Sequence, residues 1–529
     1  MTRVAEAQVL ETTVSAPAQQ EFYSALQNAA EQALAGIYNE TIYPIQYPAQ
    51  GDFLWNFQNG NQIFNQGTFD YISANVAPGG LAGTAQLSPS GGFPNAYVQL
   101  LSKLAYALST TDLAAVNTAL RNASAQATTI VNDYQTTFGQ ITPAQMTVAQ
   151  NAVGSFAVQT FQDYVIAYVL GYLWSGQQTA GKPPLTYTQM ANARNLRTLL
   201  PAMPSSGNTV VADVSNYLSM LQPVNAIQSN QQLGSWIIAQ LNLNTSQPST
   251  ANGGMSTVNP GNGQILPPQV AYNLGSASIA SITNDLNNTA RELDISMTTA
   301  AASGNQLSVS VQGQAQVTVG SFLRFTTSVG ASYDMSQAAG TSSSASVKMT
   351  YAGYSLVPVN ALAWQQATNQ GWYYGDPIAQ AVTNGTKDVT GFKFVAPTGY
   401  NLLDISRGGN FGQLTALLIS NYPTITITYT NASYSEFSKH WSESVSGNLS
   451  LFGFISLGSF SQGAYGSSYQ SGADNSTFTV TFSASPQVIG LPTMMQQAYV
   501  IGGGVNNPGV TPGSGVAVLE KLVAASLLG

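Results

Sequence analysis

Residues 307–335 alternate apolar and polar side chains almost without interruption, a period of two that β-structure accommodates and a helix does not. The odd positions include Leu307, Val309, Val311, Ala315, Val317, Val319, Leu323, Phe325 and Val329. The even ones are mostly Ser, Gln and Thr, with a single Arg324 and a single Asp334. Successive residues of a strand point to opposite faces, so this stretch is a ribbon with one greasy and one wet face. Such a ribbon suits a strand over a protein core and a strand against lipid alike. Fully extended it would reach roughly 100 Å, longer than strands normally run. It is therefore expected to fold back, with Gly320, Ser321 and Phe322 as the candidate turn. A three-residue turn there sets Val319 opposite Leu323 and Val317 opposite Phe325, which keeps both arms' apolar residues on one face.

A second ribbon follows at 444–469, with Leu449, Leu451, Ile455 and Leu457 on one face and Ser446, Asn448, Ser450 and Ser456 on the other. Each ribbon lies between an opening strand and a return strand, in blocks near 292–360 and 424–492. The pattern suggests a duplicated module. Arms of about 13 residues exceed the 9–11 that cross a bilayer as tilted barrel strands. In composition the ribbons resemble the insertion hairpins of β-barrel pore-forming toxins. That resemblance implies apolar faces that meet lipid or neighbouring copies, and it matches no family motif.

The rest of the chain limits the alternatives. Only 7% of the 529 residues are charged, against about 25% in an ordinary protein. Fourteen basic residues against 22 acidic ones cannot supply a phosphate-binding surface, so no nucleic-acid partner is expected. Weak mutual repulsion permits close self-association, which points to a homo-oligomer. There is no cysteine, which excludes disulfides, thiolate metal sites and thiol catalysis. The opening Met-Thr-Arg-Val-Ala-Glu-Ala has no apolar h-region, so an extracellular or cell-surface location is expected without a recognisable signal peptide. The longest apolar run, Tyr164–Trp174, is too short to span a membrane as a helix and reads as a buried helix.

Catalytic chemistry is hard to assemble. The single histidine, His440, has Glu436 and Glu443 nearby, yet no nucleophile elbow accompanies it. Glu292 and Asp294 lie two apart, with nothing around them to tune a carboxyl pair. No metal-ligand spacing and no phosphate loop occur, so neither metal nor cofactor is expected. Trp372, Tyr373 and Tyr374 form an aromatic cluster at a turn, a candidate surface contact for glycan or a membrane interface.

The expected fold is α+β, with a helical N-terminal half, a β-rich half of two similar long-hairpin modules, and a short C-terminal helix. Residues 1–245 are expected to be mainly helical and 246–268 a linker or long loop. Residues 269–500 are expected to form the β-rich domain, and 501–529 a Gly/Pro-rich tail with a terminal helix. The helices are expected at 17–38, 112–138, from 143 towards Trp174, 187–200, 212–221, 227–242 and 275–291. The expected function is non-enzymatic self-assembly, foremost as a β-hairpin pore-former acting on membrane lipid. The alternatives are a structural filament, shell or surface-layer subunit, and an adhesin for cell-surface glycan.

Overall fold

A computed structural model of the protein describes residues 16–38, 40–45, 52–54, 57–58, 63–88, 92–155, 157–259, 262–301, 307–312, 317–319, 323–326, 332–334, 344–421, 423–431, 448–451, 455–459, 465–471, 477–484 and 497–509. The fold is α+β, with most helices in the N-terminal half and antiparallel sheets mainly in the C-terminal half. The expected terminal helix at 516–528 lies outside the described residues.

The chain divides into two compact units, but not at residue 245. The helical unit comprises Ala105–Ile237 with Asn384–Lys393, and residues up to Leu104 belong with the β-rich unit. The reason is long-range pairing. Ile42–Pro44 pairs with Gln497–Asn506, and Asn75–Pro78 pairs with Gly412–Ser420. Strands of three or four residues carry little periodicity of their own, so a reading of local pattern passes over them. Residues 246–268, expected as a linker or long loop, include backbone and side-chain contacts to the β-rich unit. Met255 and Gln269 exchange backbone hydrogen bonds at 2.8 and 2.7 Å, and Thr257 is buried and donates to Gln66 at 2.8 Å.

In the helical unit, the helix expected at 112–138 is Thr110–Phe138, capped by Ser109, whose side chain accepts from the Asp112 amide. Pro143–Val153 begins with a Thr142/Gln145 capping box, as Thr142-Pro143 leads one to expect. It stops at Gly154, whose φ of 92° a residue with a Cβ rarely adopts. The expected run to Trp174 is therefore two segments. The second restarts at a Thr160/Asp163 capping box and continues as a ten-residue π-helix, Tyr164–Leu173. Its Val165, Ile166 and Leu170 are fully buried among Ile130, Val210 and Val214. The helices expected at 212–221 and 227–242 are one helix, Asn208–Ser246, which continues through Pro223. The 187–200 region holds a short helix, Tyr187–Ala191, and a 3₁₀ turn, Leu196–Leu199.

The β-rich unit is built on a seven-stranded antiparallel sheet. Its strands are β1 (Glu292–Ala301), β2 (Leu307–Val311), β3 (Val317–Val319), β6 (Ser344–Ala352), β7 (Thr424–Thr430), β10 (Tyr465–Ser471) and β11 (Thr477–Ala484). A four-stranded sheet contains β4 (Leu323–Thr326), β5 (Ser332–Asp334), β8 (Asn448–Leu451) and β9 (Ile455–Ser459). The strand orders are β3-β2-β1-β6-β7-β11-β10 and β5-β4-β8-β9.

One face of the larger sheet is core. Leu293, Ile295, Met297, Val347, Met349, Tyr351, Ile425, Ile427, Tyr429, Phe478, Val480 and Phe482 are all buried on it. Helix α1 (Ala16–Ala33) covers that face with Phe22, Tyr23, Leu26 and Ala30. The opposite face is polar. Lys348 Nζ lies 2.9 Å from Asp294 Oδ2, and the Thr428 and Thr479 hydroxyls meet at 3.1 Å. The period-two pattern is thus an inside–outside code along every central strand.

Candidate functional site

Two excursions leave this sheet, and each returns beside the strand from which it left. Residues 302–343 connect β1 to β6, which pair antiparallel from Glu292↔Ala352 to Thr299↔Ala345. Residues 431–476 connect β7 to β11, which pair from Ile425↔Phe482 to Thr430↔Thr477. The inner strands β6 and β7 are neighbours, so the four strands form one continuous antiparallel array. The sequence blocks therefore share a topology: opening strand, excursion, return strand.

Segments of the excursions cover the outer edges of that array. β2 folds back on β1, from Met297↔Val311 to Ala301↔Leu307, and β3 folds on β2 with Leu307↔Val319 and Val309↔Val317. At the far side β10 folds back on β11, from Tyr465↔Ala484 to Ser471↔Phe478. An uncovered strand edge presents unpaired N–H and C=O groups that recruit further strands. Here the excursions themselves occupy those edges.

The two excursions also meet. β4 pairs with β8 so that Leu323 stands opposite Leu451 and Phe325 opposite Leu449. β5 flanks β4 with Tyr333 opposite Phe325, and β9 flanks β8 with Ile455 opposite Leu451. Directly opposed residues of antiparallel strands share a face. Leu323, Phe325, Tyr333, Leu449, Leu451 and Ile455 are thus register neighbours, and Arg324 stands opposite Asp334. Leu457 lies in β9, beside an irregularity of register.

Several sequence expectations change. Val309 and Val311 are 1% and 2% exposed in the core beneath α1, so in this state their apolar side meets protein, not lipid or a neighbouring copy. The turn residues Gly320, Ser321 and Phe322 lie outside the described residues, as do Ala315 and Val329. The strands on either side of that turn do not pair with each other: Val317 faces Val309, and Phe325 faces Tyr333 and Leu449. The equal-parity pairing that keeps apolar residues together holds, with different partners. Parity can be read from the sequence, whereas the choice among several parity-matched partners depends on what the rest of the fold offers.

The aromatic cluster is a core anchor. Trp372 is 2% exposed, and its indole N–H donates to the Ala271 carbonyl at 2.7 Å. Phe93, Tyr97, Tyr272 and Tyr373 surround it with ring centroids 5.5–6.2 Å away. Tyr97 Oη donates to the Tyr374 carbonyl at 2.8 Å, and Tyr373 is half-buried. Burial pushes the hydroxyls of Tyr97, Tyr373 and Tyr374 above the ordinary phenol range, so they act as neutral hydrogen-bonding groups. No glycan can stack on Trp372.

Of the carboxylate pair, Asp294 is committed to Lys348 and to the Thr350 hydroxyl, 2.7 Å away. His440 lies outside the described residues. Among the described residues no group of three or more His, Asp or Glu side chains could hold a metal ion, and no helix is long and apolar enough to cross a membrane.

Two features had no sequence signal. Below the point where β2 ends, between α1 and the edge of β1, lies a cavity of about 650 Å³. In the helical unit, Asp213 lies against Asp133, and Gln126 Nε2 donates to its Oδ1 at 3.1 Å. Burial first, then the Asp133 carboxyl, push the Asp213 pKa up to about 6. Residues far apart in sequence create both, so neither spacing nor composition marks them.

Comparison with known proteins adds no relative: no family model, no curated protein and no solved structure matches this chain.

Proposed function

We propose that the protein is a non-enzymatic self-assembling pore-former whose two excursions extend as β-hairpins into a membrane. The observation that carries this reading is the covering of both edges of the β1-β6-β7-β11 array by strands of the excursions themselves. Departure of β2 and β10 would do two things at once. It would lengthen the hairpins, and it would bare the edges of β1 and β11.

The geometry favours closure. Four antiparallel strands are an even number, so β11 of one copy runs antiparallel to β1 of the next without reversal. Copies added in this way extend one continuous sheet, and a ring of copies closes it into a barrel with no edge. Each excursion could supply two arms of about 20 residues, roughly 65 Å each, against the 9–11 residues a tilted strand needs to cross lipid. Alternation along the ribbons then gives a lipid face and a wet lumen. The low charge of the chain limits the repulsion between copies.

Dye release from liposomes, with negative-stain imaging of the same sample, tests the proposal. Leakage accompanied by ring-shaped particles supports it. Ordered fibres or shells without leakage overturn it and favour the structural subunit, which would use the same edges without a membrane.

A further inference from the structure

We propose that the cavity beneath α1 is a binding site for a neutral saccharide. Its lining comes from Gln20, Glu21, Ser24, Asn28 and Gln32 of α1, from Gln312 at the end of β2, and from the edge of β1 at Asp294. At about 650 Å³ it falls within the range of small-molecule sites.

The lining selects the ligand class. Four side-chain amides each offer donors and an acceptor, and Ser24 adds a hydroxyl. Vicinal hydroxyls of a sugar match such pairs of donors and acceptors. Among the described lining residues only Ala25 and Ala29 are apolar, which disfavours a greasy ligand. An anion would meet Glu21 with no cation among the described lining residues, and nearby Lys348 is already bound to Asp294. Glu21 Oε2 is shielded from solvent and has no hydrogen-bond partner, so the site contains an acceptor that lacks a donor. Burial raises the pKa of this carboxyl, as expected for a group short of partners. Gln312, with φ at 52°, donates its side-chain Nε2 to the Asp294 carbonyl at 3.1 Å, so the residue that ends β2 lines the cavity beside β1. A ligand that bridges α1 and Gln312 binds only the docked form, so by linkage it holds β2 in place.

The test is saturation-transfer NMR on the full chain with a panel of neutral methyl hexosides and disaccharides, alongside inorganic phosphate and spermine. The site predicts transfer to at least one saccharide. Affinity should fall roughly tenfold or more in Glu21→Gln, through loss of a charge-assisted hydrogen bond. It should also fall in Asn28→Ala, whose exposed position leaves folding intact. No saccharide signal, signals unchanged in both variants, or binding of phosphate or spermine alone would each overturn the assignment. The readout needs no membrane, so saccharide binding without liposome leakage rejects the pore and keeps the site.

Discussion

A disulfide between β1 and β2 should hold the first excursion in place. Thr298 and Ser310 are register partners, and directly opposed antiparallel residues have Cα atoms about 4.5–5.5 Å apart, within disulfide reach. Thr298 is exposed, and Ser310 is buried but alternates with Val309 and Val311, so neither belongs to the apolar core beneath α1. Thr298→Cys with Ser310→Cys therefore leaves the apolar core alone, and cysteine is close in size to the serine it replaces at the buried position. The chain has no other thiol, so only this pair can form. The crosslink closes a loop of about 13 residues, which chain-entropy arguments value at ~3 kcal/mol. Oxidised protein should gain about that much in urea denaturation relative to reduced protein. Dye release from liposomes should fall to background when oxidised and return with reductant. If protein shown by mass spectrometry to be fully crosslinked still leaks vesicles at the reduced rate, β2 need not leave β1, and the proposed release is wrong. Asp substitutions at Val311 are a poorer probe, because a charge there disrupts the core whatever the ribbon does at a membrane.

Other outcomes follow from the same packing. Val309→Ala and Val311→Ala should each cost about 2 kcal/mol in urea denaturation, and a lipid-exposed or solvent-exposed valine would cost close to nothing. Trp372→Ala should destabilise by about 3–5 kcal/mol, and in the native protein acrylamide should leave Trp372 fluorescence largely unquenched. Gly504→Ala should lower the thermal midpoint, because the added Cβ would lie 1.9 Å from Tyr38 Oη, which bonds both Glu40 and Thr415. Asp213 binds its proton more tightly in the folded than in the unfolded chain. Its stabilising effect is therefore complete below the ordinary carboxylate range and is lost as pH rises through about 6. Denaturation of the protein across that window should show the loss, and Asp213→Asn should remove the pH dependence.

The sequence by itself determined the features that depend on a residue and its near neighbours. Period-two alternation marks β1, β2, β6, β7 and β11 because each strand turns one side to a core and the other to water. Thr142-Pro143 marks a helix start because capping is a contact over three residues, whereas at 110–138 the sequence suggests Thr110-Thr111 and the cap is Ser109. Tertiary structure alone decided which elements met. Val317 was free to pair with Phe325 or Val309 on parity, and the open edge of β2 settled it. Ile42–Pro44 was too short to declare itself a strand until Gln497–Asn506 offered an edge. Trp372 reads the same whether buried or exposed, and Phe93, Tyr97 and Tyr272 arrive around it from distant parts of the chain. Alternation states that a ribbon has a greasy face. What covers that face depends on contacts between residues hundreds of positions apart, and at Val309 and Val311 the cover is the core beneath α1.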